Sequence, residues 1–224
     1  MSKIKATTNV GHRARLKDKL LKSDENLPDY EILELLLFNA IPRKDVKPLA
    51  KSLLHKYQTI GKIINLPLTE LSSLPKAIHV LFKLMQATIA RVNKEQIIAN
   101  PVINNWNSLL TYIRTNIGYK NTECLKILFL NHKNILITEE TIEYGTINSV
   151  AIYPREILKK AIFHNASSIV LAHNHPSGIT TPSASDISMT QQVKEVLAPL
   201  NISLVDHIII SSNSHYSFKQ NNLI

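Results

Sequence analysis

The chain has 224 residues, 44% of them apolar and 19% charged, with one cysteine. A single cysteine excludes an internal disulfide, a structural zinc site made of several thiolates, and a zinc deaminase, which needs a Pro-Cys-x-x-Cys pair. The sequence has no run of about 18 apolar residues and no signal-peptide pattern, so a soluble cytoplasmic protein without a membrane partner is expected.

The positive charge lies mainly in the first part of the chain. Residues 1–100 contain 17 Lys and Arg against 9 Asp and Glu, whereas residues 101–224 contain 9 against 8. A basic half of this kind favours a polyanionic partner. The pattern of the sequence changes near Pro101, where we place the boundary between two domains.

Residues 1–100 are predicted to form a small all-α domain. Apolar residues recur there at helical spacing, Pro28 suits the first turn of one helix, and Pro42 ends that helix. The predicted helices cover 13–22, 28–38, 46–54, 60–65, 69–73 and 76–94.

Residues 101–224 are predicted to form an α/β or α+β domain, because helical and strand patterns alternate. The turn-like segment 131–134 separates two apolar runs, as in a β-hairpin. The predicted elements, in chain order, are a helix over 104–117, strands over 124–130 and 135–137, a helix over 154–164, a strand over 168–172, a helix over 183–197 and a strand over 208–210.

Two histidines directly follow the apolar strand over 168–172. His173 and His175 are two residues apart, so in an extended strand both imidazoles leave the same face and can bind one cation. Asp186 falls in the first turn of the next helix, where its carboxylate could provide a third ligand. These three residues are the predicted metal ligands.

Two histidines and one carboxylate leave the fourth position of a tetrahedral zinc open to water, as in catalytic zinc sites. Zinc lowers the pKa of such a water from 15.7 to about 7 and so provides a hydroxide nucleophile at neutral pH. One zinc ion per chain is therefore the predicted cofactor.

Each part of this pattern also has a plainer interpretation. A His-x-His pair at a strand end is often two ordinary histidines, and Ser183-x-x-Asp186 matches a helix capping box. Asp206 and His207 are expected mainly to support the strand that they open, with a contact to the site as the alternative. The combination of strand, His-x-His, turn, serine and acid at fixed offsets favours the metal site.

The string His173-x-His175, seven residues, Ser183, two residues and Asp186 is similar to the motif of the JAMM (MPN+) metalloproteases. The wider string HNHPSG resembles RadC-type proteins, historically called DNA repair proteins. Over about residues 10–224 this resemblance implies a helix-hairpin-helix-like domain followed by an MPN/JAB domain with a cytidine-deaminase-like α/β fold. Other segments similar to the family are 11–16, 27–37, 40–43, 47–50, 145–146, 153–156 and 164–166.

The resemblance implies roles for five residues of this chain. His173, His175 and Asp186 would bind zinc. Ser183 would stabilise the substrate carbonyl, and Glu123, ahead of the strand over 124–130, would act as general acid and base. The residues alone leave other acids open for that last role: Glu139, Glu140 and Glu143, expected at a solvated strand edge, and Glu156, expected in the first turn of a helix.

The resemblance also implies DNA contact by the basic half. Where the family carries a glycine-containing hairpin, residues 74–79 have no glycine, and without it the backbone amides do not easily turn toward a phosphate. Binding would then be nonspecific and salt-dependent, through basic side chains of the first helix. The alternative is an ordinary solvated helix face. The candidate residues are Arg13, Arg15, Lys17 and Lys19.

Three functions compete at this point. The first is a zinc-dependent hydrolase that cleaves an amide bond, peptide or isopeptide, in an unidentified protein or peptide. The second is a non-catalytic, DNA-associated adaptor with a structural or vestigial metal. The third is a metal-dependent nuclease. It is the weaker hypothesis, because a single three-ligand site does not suggest a two-metal phosphodiesterase. A monomer and an oligomer are both compatible with the sequence.

Overall fold

The computed structural model of the protein describes residues 4–22, 27–98, 100–143 and 153–224, with the main chain alone for 4–10 and 103. The chain divides into two compact units, Met1–Ala87 and Thr88–Ile224. None of the helices that the structure describes is long and apolar enough to cross a lipid bilayer.

The N-terminal unit is helical, which confirms the prediction for this part of the chain. Pro28 precedes the second helix, whose first turn carries Asp29 and Glu31, and Thr59 Oγ1 accepts a hydrogen bond from Lys62 N at the start of the fourth. Both features satisfy or complement the free amides of a helix N-terminus. The helices are α1 (Ile4–Lys22), α2 (Asp29–Ala40), α3 (Lys47–Tyr57), α4 (Ile60–Ile64), α5 (Leu68–Leu71) and α6 (Lys76–Ile98), and the division between the units lies within α6.

Arg13 fastens α1 to the segment that joins α2 and α3. Its Nη2 donates to the carbonyl oxygens of Ile41 at 2.8 Å and Lys44 at 2.6 Å. Its guanidinium carbon lies 4.4 Å from the ring centroid of Phe38. An arginine that bonds to two carbonyls and stacks on an aromatic ring stabilises the packing of the helices, in addition to adding positive charge.

The C-terminal unit consists of a five-stranded sheet with helices on both faces. The strand order is β2-β1-β3-β4-β5, and β3 and β4 are parallel while the other neighbours are antiparallel. A parallel pair needs a crossover connection, and α9 supplies it. The strands are β1 (Cys124–Leu130), β2 (Leu136–Glu143), β3 (Ser168–Asn174), β4 (Ser203–Ile210) and β5 (His215–Ser217), and the helices are α7 (Trp106–Ile113), α8 (Pro154–Phe163) and α9 (Ala184–Leu197).

The two central strands are buried on both faces. All seven residues of β1 and all seven of β3 are buried. Because strand side chains alternate, Leu125 and Leu171 pack in a core with α8 and α9, whereas Leu128 and Val170 pack in another with α7. His173 is two residues from Leu171 and therefore lies on the α8–α9 face.

Strand β2 differs from its prediction. It continues to Glu143, beyond the predicted 135–137, because the acids in it have partners within the unit and not only solvent. Glu139 binds Lys126 Nζ at 3.1 Å and Lys94 Nζ at 3.0 Å. Glu140 binds Lys160 and His164. The expectation of a wholly solvated edge is therefore wrong for both acids. Strand β4 begins five residues before its prediction, and β5 was not predicted.

We expect the substitution Glu139→Gln to lower the free energy of unfolding by about 3 kcal/mol, since it leaves a buried ammonium without its counter-ion. The side chain of Lys126 is 4% exposed, and burial lowers its pKa against the opposing effect of Glu139. The double variant Lys126→Met with Glu139→Gln should recover most of the loss. Urea denaturation measures the free energy of unfolding of the single and the double variant.

The matched control is Glu143→Gln, because that carboxylate is 66% exposed and pairs with Lys120 at the surface. It should cost less than about 1 kcal/mol. If Glu139→Gln costs no more than this control, the buried pair does not contribute as argued.

Candidate metal centre

The three predicted ligands lie together where β3 ends and α9 begins. His173 is the second-last residue of β3, His175 follows the strand, and Asp186 is in the first turn of α9. Gly178, with φ of 87°, helps to turn the chain between the two elements. The ligand atoms of the three residues lie within 4.8 Å of one another.

The distances between these atoms suit a single divalent cation. His173 Nε2 lies 2.9 Å from His175 Nε2 and 3.3 Å from Asp186 Oδ1, and His175 Nε2 lies 3.7 Å from Asp186 Oδ2. Two nitrogens bound to one tetrahedral zinc are about 3.3 Å apart, given Zn–N bonds of about 2.0–2.1 Å. The observed spacing therefore fits a two-histidine, one-carboxylate site.

The hydrogen bond of His175 turns its free nitrogen toward the other ligands. His175 Nδ1 lies 2.6 Å from the carbonyl oxygen of Ile179. A carbonyl only accepts, so Nδ1 carries the proton and, in the neutral ring, Nε2 presents a lone pair. This is the state in which an imidazole binds a metal.

His173 is the most buried of the three ligands, with 6% of its side chain exposed. Burial lowers its pKa to about 4, with Asp186 raising it and His175 lowering it to smaller extents. The ring is therefore neutral at pH 7 and able to act as a ligand.

Asp186 serves as a helix cap and also faces the histidines. Its Oδ2 accepts hydrogen bonds from Ser183 N at 2.7 Å and Ser183 Oγ at 2.6 Å, and Asp186 N donates to Ser183 Oγ at 3.1 Å. Its Oδ1 is the oxygen closest to His173. The capping box and the metal ligand are thus compatible, because the two carboxylate oxygens divide the tasks. The Ser183 hydroxyl is directed to Asp186 in this arrangement.

Glu123 is outside the ligand group and directly precedes β1. Leu125 pairs with His173 across β1 and β3, so the same register continued by two residues places Glu123 opposite His175. Alternation along the strand puts it on the face that carries the two histidines. Its side chain is exposed.

The four competing acids are engaged elsewhere. Glu139 and Glu140 are paired as described above, Glu143 binds Lys120 at 2.6 Å, and Glu156 binds Lys159 at 3.0 Å. In the described part of the chain, no ion pair engages Glu123. Of the five candidates for general acid and base, Glu123 is the one that the continued register of β1 and β3 brings toward His175.

The nucleic-acid candidates of α1 differ in their surroundings. Arg13 is held by the α2–α3 connection, and Lys19 Nζ binds Glu31 at 2.6 Å. Arg15 and Lys17 are exposed. The first two side chains therefore have partners within the N-terminal unit.

Two residues outside the motif contact the site. His207 on β4 has its Nε2 2.8 Å from His173 Nδ1, and its Nδ1 lies 2.6 Å from Thr190 Oγ1 on α9. Burial lowers the pKa of His207 well below its usual value. Asp206, the neighbour of His207, instead accepts from Ser217 Oγ and supports the strand. The Asp-His pair in the sequence is a signal for His207, whereas Thr190 has none.

The chain is similar to proteins of one known family. A model of the RadC-like JAB domain family matches residues 103–223. A UPF0758 protein of Rhodobacter capsulatus is 40% identical over 203 residues, which are 89% of this chain and 95% of that protein. A UPF0758 protein of Ruegeria pomeroyi is 39% identical over 212 residues, 93% of this chain and 95% of that protein. The chain therefore belongs to the RadC-like JAB domain family, with a helical N-terminal region before the JAB domain.

Proposed function

We propose that this protein is a zinc-dependent hydrolase of JAMM type that cleaves an amide bond, peptide or isopeptide, in a protein or peptide substrate. The observation that carries the proposal is the convergence of His173 Nε2, His175 Nε2 and the carboxylate oxygens of Asp186, at distances of 2.9–3.7 Å. Three protein ligands with a fourth position left open are typical of catalytic zinc.

Zinc held by these ligands would lower the pKa of a coordinated water to about 7 and polarise a substrate carbonyl. The other steps belong to residues of the chain. Glu123 would take the proton of the attacking water and return it to the nitrogen of the leaving amine. Ser183 would donate a hydrogen bond to the carbonyl oxygen, for which its hydroxyl group has to turn away from Asp186 Oδ2.

The N-terminal unit would direct the protein to its substrate or to DNA. Arg15 and Lys17 are the exposed members of the proposed basic surface, so its contribution would be nonspecific and would fall steeply with salt. A non-catalytic adaptor is the alternative in which the same ligands hold a structural metal. Chelator-sensitive cleavage separates the two functions.

The first test is the metal content of the protein after extensive dialysis, measured by elemental analysis with two variants. Ser183→Ala removes the hydroxyl that donates to Asp186 Oδ2 and accepts from Asp186 N, but it keeps the Asp186 carboxylate, so it should lose about 1 kcal/mol of stability and retain zinc. Asp186→Asn keeps a side-chain acceptor for the cap but removes the anionic ligand, so it should lose zinc and little stability.

About one zinc per wild-type chain supports the site. Zinc retained in full by Asp186→Asn, or absent from the wild type after zinc is supplied, contradicts it.

The second test is a cleavage assay, in which the zinc-loaded protein is incubated with a pool of quenched linear peptides and lysine-branched isopeptides, with and without a chelator. Cleavage that the chelator stops supports a hydrolase, whereas a loaded site that cleaves nothing in the pool favours the adaptor.

A further inference from the structure

A chain of hydrogen bonds connects two of the three ligands through residues outside the motif. It runs from His173 Nδ1 to His207 Nε2 at 2.8 Å, from His207 Nδ1 to Thr190 Oγ1 at 2.6 Å, and from Thr190 Oγ1 to the carbonyl oxygen of Asp186 at 2.5 Å. Its members come from β3, β4 and α9, so it joins the strand that carries one ligand to the helix that carries another.

The direction of every bond in this chain follows from its last member. The carbonyl oxygen of Asp186 cannot donate, so the single hydroxyl proton of Thr190 lies on that bond. The Thr190 oxygen must then accept from His207 Nδ1, which carries the proton of the ring.

His207 is fully buried, and its ring meets no carboxylate among the described residues, because Asp206 bonds to Ser217 and to main-chain amides. In the neutral ring, the proton that Nδ1 shares with Thr190 leaves Nε2 with a lone pair. His207 Nε2 is therefore an acceptor, and His173 Nδ1 donates to it. In consequence His173 Nε2 has no proton and faces His175 and Asp186 with a lone pair.

We propose that His207 and Thr190 are positioning residues, which hold His173 in the Nδ1-protonated tautomer and orient its Nε2 toward the metal. The inference rests on the metal site of the proposed function and not on its amide-cleaving activity. Partners of this kind raise the affinity of a ligand for its metal, and their loss typically costs 10–100-fold.

Thr190 provides the cleanest test, because Thr190→Val is close to isosteric and Thr190→Ser keeps the hydroxyl. Competition with a chromophoric chelator measures the affinity for Zn²⁺. Thr190→Val should weaken it about 10-fold, the lower end of the usual range, and Thr190→Ser should match the wild type. His207→Leu should weaken it by up to about 100-fold, and His207→Gln, whose carbonyl can accept from His173 Nδ1, should recover part of this loss.

Nitrogen-15 spectra of the metal-free protein report the tautomer directly and do not depend on zinc or on activity. The wild type and Thr190→Ser should show His173 protonated on Nδ1, and Thr190→Val should show a mixture of tautomers. His173 protonated on Nε2 in the wild type overturns the proposal, as does Zn²⁺ affinity unchanged in both Thr190→Val and His207→Leu.

The spectra also allow the positioning role to be tested separately from the proposed function. If the wild type binds zinc but cleaves no amide, the hydrolase fails while both readouts of the positioning role stand. If the wild type binds no zinc, the metal site fails, and the tautomer of His173 decides whether the hydrogen-bond chain is polarised as argued.

Discussion

The variant His175→Ala is expected to bind no stoichiometric zinc while it keeps the fold. In the proposed site His175 supplies one of three ligand atoms, and the two that remain would not make a stable zinc site. Its side chain is 16% exposed and follows β3 at the surface, so the truncation leaves no large internal cavity. Elemental analysis after dialysis gives the stoichiometry.

Thermal unfolding provides an independent measurement of the loss of zinc binding in His175→Ala. A ligand that binds the native state at 100 times its Kd stabilises it by about 2.7 kcal/mol. Zinc at that excess should raise the melting temperature of the wild type by about 5–10 °C. It should leave that of His175→Ala unchanged.

His132→Ala is the matched control, because His132 is an exposed histidine on the turn between β1 and β2, outside the cluster. It should keep one zinc per chain and the full thermal shift. A His175→Ala variant that still holds one zinc would show that the ligand set is wrong.

The second large effect is expected for Glu123→Gln, which should retain zinc and lose activity by about 10²–10⁴-fold. The amide is nearly isosteric with the carboxylate but takes no proton from the attacking water. The substrate is the peptide or isopeptide that the pool identifies, and initial rates are measured at saturating zinc. Elemental analysis of the same sample shows that the loss is not a loss of metal.

Glu156→Gln is the control for this experiment, since Glu156 is paired with Lys159 in the first turn of α8 and not placed beside the histidines. Its rate should equal that of the wild type. Turnover that persists in Glu123→Gln would move the general base to another group, and the register argument for Glu123 would fail.

Much of the fold was accessible from the sequence, because its signals are local. Pro28 and Pro42 delimit a helix through their own backbone restrictions, and the two-residue spacing of His173 and His175 requires a shared face once the segment is extended. The shared direction of these two histidine side chains can therefore be predicted from the local sequence alone.

Other features required partners distant in the chain. The length of β2 depends on Lys126 in β1 and Lys94 in α6, which make an acid-rich segment tolerable within the unit. The third ligand, Asp186, is compatible with a simple helix cap until α9 is placed against the end of β3. These contacts cannot be predicted from the spacing of apolar and polar residues in the sequence.

The family motif, the helical first region and the candidate ligands of the motif can thus be read from local sequence. The three-dimensional fold is needed to see that Asp186 Oδ2 accepts from Ser183 at the start of the helix while Oδ1 is the oxygen nearest to His173. It also brought His207, 34 residues away, against His173. Hydrogen bonds between side chains act over about 3 Å, and the parallel pairing of β3 with β4 brings these distant residues within that range.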